Sequence, residues 1–143
     1  MKCEIIFDAN TDERVVIYAK ENSILVSNIK EFVENSHNGF MGHGSNEIIK
    51  LDFDEIYCFS VIDNKVYAIC KNEKLQLKER LYTVEESLPD YFIKINKSCI
   101  VNMNMIKSFD ASISGTLKIH LKNGYVDYIS RRQLKIVKER IGI

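Results

Sequence analysis

The chain has 143 residues, 45 % of them apolar and 28 % charged, with 20 basic and 20 acidic side chains. Such values belong to an ordinary globular chain, and one proline with six glycines excludes collagen-like or low-complexity architecture. No apolar run approaches the roughly 18 residues that span a bilayer, and the opening M-K-C-E-I-I-F-D has no signal core, so the cytoplasm is the expected compartment.

In chain order, residues 2–8, K-C-E-I-I-F-D, and 14–19, R-V-V-I-Y-A, predict two strands across the turn cluster D-A-N-T-D-E. Ile24, Leu25, Ile29, Phe32 and Val33 recur at helical spacing and predict a helix over 22–35, capped by Asn22 or Ser23. Two strands and one helix hold too little core to stand alone. Residues 36–46, S-H-N-G-F-M-G-H-G-S-N, hold three of the six glycines and are the best linker candidate. Their G-x-x-G-x-G spacing lacks the Lys-Ser/Thr of a phosphate loop. The organisation expected is a strand-strand-helix unit over 1–45 and a larger domain over 46–143.

The larger domain is a series of short strand-like runs. Ile48 to Phe53 opens it, and Ile56–Ile62 and Val66–Cys70 flank Asp63-Asn64, a hairpin signal. Lys74–Leu77 follows. Leu81, Val84 and Leu88 predict a helix over 78–88, stopped by Pro89. Five runs come next, F-I-K-I, C-I-V-N, M-I-K-S-F, T-L-K-I-H-L and Y-V-D-Y-I-S, with Asn123-Gly124 marking a tight hairpin between the last two. Residues 131–141 close the chain as an amphipathic helix with Leu134, Val137 and Ile141 as its buried stripe and Ser130 as its N-cap. The fold class is mainly β with short helices.

Enzymatic chemistry finds little footing. Cys3, Cys58, Cys70 and Cys99 form no C-x-x-C pair, and three of them sit in apolar runs, as small buried hydrophobes do. His37, His43 and His120 have no metal-ligand spacing, and no serine sits in a G-x-S-x-G context. No cofactor, metal site or catalytic residue is expected.

The zero net charge hides an asymmetry. Residues 1–91 hold 10 Lys+Arg against 17 Asp+Glu, and residues 92–143 hold 10 against 3. A basic segment of that kind is the footprint of a polyanion-binding face, unless the two halves simply pair with each other. It is built of strands, so a helix-turn-helix does not fit it. Lys94, Asn96, Lys97 and Ser98 cluster in I-K-I-N-K-S-C-I-V-N, where strict alternation puts Lys94 and Asn96 on one face. Arg131 and Arg132 open the last helix, where free backbone N–H groups suit a phosphate.

Residues 92–102, F-I-K-I-N-K-S-C-I-V-N, followed by Ile106, resemble the core motif of LytTR DNA-binding domains. D-E-I-Y-C-F-S-V at 54–61 resembles that family's first motif, and L-K-N-G-Y-V-D-Y-I-S-R-R at 121–132 its last strand and Ser-Arg signature. The resemblance covers about residues 46–143 and is closest to stand-alone bacterial members without a receiver domain. It implies a transcription regulator with an elongated antiparallel β sandwich, whose loops enter successive major grooves of double-stranded DNA. It also implies a homodimer on paired half-sites and, in such stand-alone members, a membrane protein as regulatory partner.

Carried over residue by residue, the resemblance puts base contacts at Lys65, with Asn64 beside it, at Lys97, which precedes Ser98, and at Arg132. Arg131 and Lys94 are then expected near phosphates. The chain departs from the family at Lys94, where arginine is frequent, and at Asn96, where many members carry histidine. Residues 1–45 lie outside the resemblance, and their apolar stripe suggests a dimerisation unit. Two other functions stay open at this point: a protein-interaction module of the same fold that no longer binds DNA, and a small enzyme acting on an anionic substrate.

Overall fold

The computed structural model describes residues 2–12, 14–35, 39–111 and 115–143. The chain divides into two compact units, Met1–Ser36 and His37–Ile143. In the first, helix α1 (Ile24–Asn35) is the regular element. Ser23 caps it, its Oγ accepting from the Val26 N–H at 3.3 Å, and Lys30 meets Glu34 one turn on at 3.8 Å.

The two strands expected at 2–8 and 14–19 do not form. A strand needs a neighbour for its N–H and C=O groups, and β-branched composition alone does not provide one. Instead Val15 and Ile17 line an apolar groove of about 330 Å³ with Val26, Ile29 and Val33 of α1. Phe7 and Tyr18 stand more than nine-tenths exposed.

The second unit is a β sandwich. Its strands are β1 (Met41–His43), β2 (Ile48–Lys50), β3 (Cys58–Ile62), β4 (Lys65–Ile69), β5 (Lys74–Leu77), β6 (Phe92–Asn96), β7 (Cys99–Asn102), β8 (Ile106–Ala111), β9 (Leu117–Leu121) and β10 (Val126–Ile129). Helix α2 (Leu81–Glu86) joins β5 to β6, and α3 (Arg131–Ile141) ends the chain. Seven strands form one sheet in the order β2-β1-β5-β4-β3-β7-β6, and β10-β9-β8 form a second. Every pairing is antiparallel.

Period-two alternation gives the large sheet two apolar faces. Phe59, Val66, Ala68, Leu75, Phe92 and Ile100 point to one core, where Leu81 and Val84 of α2 also pack. Phe53 is its hub, with ring centroids 6.1 to 6.5 Å from those of Phe40, Phe59 and Phe92. Cys58, Ile69, Ile93, Cys99 and Val101 point the other way, onto Ile119 and Leu121 of β9, Ile129 of β10 and Val137 of α3. Cys58 and Cys99 are buried there, Cys70 is half-buried, and Cys3 is exposed.

The turns follow their residues. Asp63 and Asn64 both take positive φ, 51° and 62°, the type I′ geometry that matches strand twist. The Asn123-Gly124 hairpin forms as expected, with Gly124 at φ +90°. α3 runs over the residues read from the sequence, Ser130 Oγ accepting from the Gln133 N–H at 3.3 Å.

Two expectations need correction. Residues 41–43 of the linker candidate are an inner strand, β1, between β2 and β5. Gly42 is there for closeness, since a Cβ on it would stand 2.7 Å from the Leu75 Cβ. His37 falls outside the described residues. The helix expected from residue 78 starts at Leu81, because β5 stays paired with β4 through Val66 and Leu77 and residues 78–80 turn the corner.

Phe59 is fully buried between Phe53 and Phe92. Its replacement by alanine is expected to cost about 3–5 kcal/mol, read as a lower urea midpoint in circular dichroism.

Candidate nucleic-acid interface

Antiparallel pairing brings three connections to one end of the sandwich. The β3–β4 turn, the end of β5 and the β6–β7 turn all lie there, because β4 pairs with both β3 and β5 while β7 pairs with β3 and β6. The two hairpins are tied directly, the Val61 N–H donating to the Ser98 carbonyl at 2.8 Å. The start of α3 joins them through the Ser130 N–H, which donates to the Ile95 carbonyl at 2.9 Å.

Lys65 and Lys97 are exposed at this end and line one groove with Asn64 and Lys94. Arg131 and Arg132 are exposed on the first turn of α3. None of Lys65, Lys97, Arg131 and Arg132 has an ion-pair partner among the described residues. Lys94 does have one: its ammonium lies 3.5 Å from Glu85 of α2 and is half-buried. A phosphate reaching Lys94 therefore competes with a carboxylate already in place.

Asn96 does not present itself to a ligand as the alternation predicted. Pairing shifts between Lys94 and Asn96, and this bulge turns Asn96 inward. It is 2 % exposed. Its amide donates to Asp127 Oδ1 at 3.1 Å and to the Tyr128 carbonyl at 2.8 Å, and its Oδ1 accepts from the Ser98 N–H at 2.8 Å. Asn96 thus clamps β10, and with it the entry to α3, onto the turn that carries Lys97. Ser98 is half-buried, its backbone N–H and carbonyl both used in these ties.

Buried polar groups nearby reinforce the frame. Ser60 and Tyr125 share a 2.8 Å hydroxyl contact, and burial pushes the Tyr125 phenol up to about 12. The Cys99 thiol is held well above its ordinary value by hydrogen bonding with Cys58 and by burial, so it stays a packing group.

Carboxylates collect at the far end of the strands. The Tyr91 phenol is pushed up to about 12 by burial and by its 2.9 Å hydrogen bond to Asp54, reinforced by the charges of Asp52 and Asp90. Arg140 and Lys74 stand at that end too, so both ends of the strands carry both signs of charge.

Sequence reasoning passed over two cations at this end, Lys78 and Arg80, which line the groove with Lys65 and Lys97. They lie in the acidic half of the sequence, in a stretch whose spacing predicts a helix. Their signal is register: Lys78 follows the Val66–Leu77 pair and so stands across from Lys65.

Residues 46–142 match the family described as the LytTr DNA-binding domain. The chain belongs to the LytTR family. Among curated proteins it is similar to an uncharacterized HTH-type transcriptional regulator of Staphylococcus aureus strain NCTC 8325, 35 % identical over 147 residues, covering 100 % of this chain and 99 % of the relative. A counterpart from strain N315, with the same name and coverage, is 36 % identical. Among solved structures, the LytTr DNA-binding domain of a protein described as a methyl-accepting/DNA response regulator from Bacillus cereus shares the fold. It superposes with TM-score 0.67 at 24 % identity, over 72 % of this chain and 95 % of its own. The expected β sandwich with short helices is the fold observed. The relatives' helix-turn-helix label has no counterpart here, since no two helices are consecutive among the described residues. Among those residues no cluster of metal-binding side chains occurs, and no helix is long and apolar enough to cross a membrane.

Replacing Asn96 by alanine strands the Ser98 N–H and the Tyr128 carbonyl, a cost of about 1–3 kcal/mol. The variant is expected to melt earlier and to lose affinity for specific DNA more than for random DNA, measured by calorimetry and by parallel titrations.

Proposed function

We propose that this LytTR protein is a sequence-specific transcriptional regulator that sets loop tips, not a helix, into successive major grooves of double-stranded DNA. The observation that carries the reading is the joint placement of Lys65, Lys97, Arg131 and Arg132, exposed and without ion pairs among the described residues, on connections tied together at one end of the sandwich. In this reading Lys65, Lys97 and Arg132 contact base edges, with Asn64 beside the first. Arg131 and Lys94 hold phosphates, and Asn96 and Ser98 shape the turn. Arginine grips guanine with two hydrogen bonds, while lysine reaches guanine O6 and N7 as a mobile point donor.

The regulator acts as a homodimer on paired half-sites. Residues 1–45 support that role by leaving Ile5, Ile6, Phe7, Tyr18, Ile24 and Phe32 exposed, more apolar surface than so short a unit leaves open when complete. A membrane protein as regulatory partner rests on the family resemblance alone.

Two experiments test this. Replacing Lys97 or Arg132 by alanine is expected to cost about 1–3 kcal/mol on the selected DNA site and much less on random DNA, by titration at several salt concentrations. Replacing Lys94 is expected to weaken both alike. Equal losses on both DNAs for the Lys97 variant would refute base reading, and a parent with no DNA affinity would favour the protein-interaction reading. In sedimentation equilibrium, a chain that starts at Gly39 is expected to be monomeric where the full chain is dimeric.

A further inference from the structure

A groove lies beside the turns that carry Lys65 and Lys97. It measures about 810 Å³ and runs from the β3–β4 turn past the end of β5 to the first turn of α2. Five cations line it, Lys65, Lys78, Arg80, Lys94 and Lys97, against one lining carboxylate, Glu79, and of the five Lys94 is already paired with Glu85 of α2. We propose that this groove is a phosphodiester-binding channel for the DNA strand that flanks the base-reading tips, with Lys78 and Arg80 as its outer contacts. The proposal rests on the DNA-binding reading above and extends it to residues that reading does not use.

Position, freedom and chemistry all point the same way. Lys78 stands one step beyond the Val66–Leu77 pair, directly across from Lys65. Arg80 is two residues further along a bent segment, at most about 7 Å away along the chain, so the two cations can take different phosphates. Both are exposed, and neither has an ion-pair partner among the described residues. Arg80 occupies the N-cap position of α2 without making a side-chain cap hydrogen bond, so its guanidinium is not needed to start the helix. A guanidinium fork and a point ammonium are the two side chains that hold phosphate oxygens best. Tyr82, exposed on the same rim, adds a hydroxyl donor.

Glu79 gives the channel a built-in opponent. One of its oxygens is buried without a hydrogen-bond partner. A phosphate drawn into the groove feels this carboxylate, so neutralising it strengthens binding.

The test uses the full chain, a selected DNA site and a random duplex, titrated over a series of salt concentrations. Each phosphate neutralised contributes about 0.9 to the slope of log affinity against log salt. The double variant Lys78→Ala with Arg80→Ala is expected to lower that slope by about 1.8 on both DNAs, with the ratio between them unchanged. Glu79→Gln is expected to tighten both by roughly three- to fivefold, a gain that misfolding cannot mimic. Circular dichroism of each variant is expected to match the parent. A parental slope in the double variant, or no gain from Glu79→Gln, overturns the channel. If Lys97→Ala still erases the preference for the selected site in that case, the base-reading tips stand and the channel alone falls. A parent that binds neither DNA overturns both.

Discussion

The pairing of β3 with β7 is the constraint on which the end that carries Lys65 and Lys97 depends. Ser60 lies opposite Cys99, and the ladder ends in the Val61–Ser98 hydrogen bond of 2.8 Å. That register places the Lys65 hairpin beside the Lys97 hairpin. A slip of one residue would turn Cys58 and Phe59 to the wrong cores and separate the two lysines. Since both faces of this sheet are buried, the register is enforced from both sides by packing. The frame that carries the two turns is thus held by the apolar interior.

Polar ties do the finer positioning. Asn96 joins the Lys97 turn to β10, and Ser130 joins α3 to β6, so a cation on a turn and two on a helix are carried by one frame. The far end gathers carboxylates around Tyr91.

Much of this was legible in the residues. The Asp63-Asn64 and Asn123-Gly124 turns, the alternation of β6 and β7, and the Ser130-capped helix all state their local geometry. The motif at 92–102 places the β6–β7 turn that carries Lys97. What was not legible arises from contacts distant in sequence. The bulge that turns Asn96 inward answers to Asp127 and Tyr128, thirty residues on. β1 reads as a linker because three residues with a glycine carry no periodicity, and its reason is Leu75. The strands expected at 2–8 and 14–19 fail for want of a neighbour. Lys78 and Arg80 hid in a segment whose overall charge is negative, because summing along the chain ignores which ends of strands meet in space.

Gly42 has a reach beyond its own contact. β1 covers the edge of β5, and a Cβ on Gly42 would run into the side chains of Leu75 and Leu51. Any side chain there would pry β1 loose and leave β5 with a bare row of amide and carbonyl groups. Bare edges recruit strands from other molecules. This small residue, upstream of the segment that matches the family, therefore helps to keep an otherwise open strand edge covered.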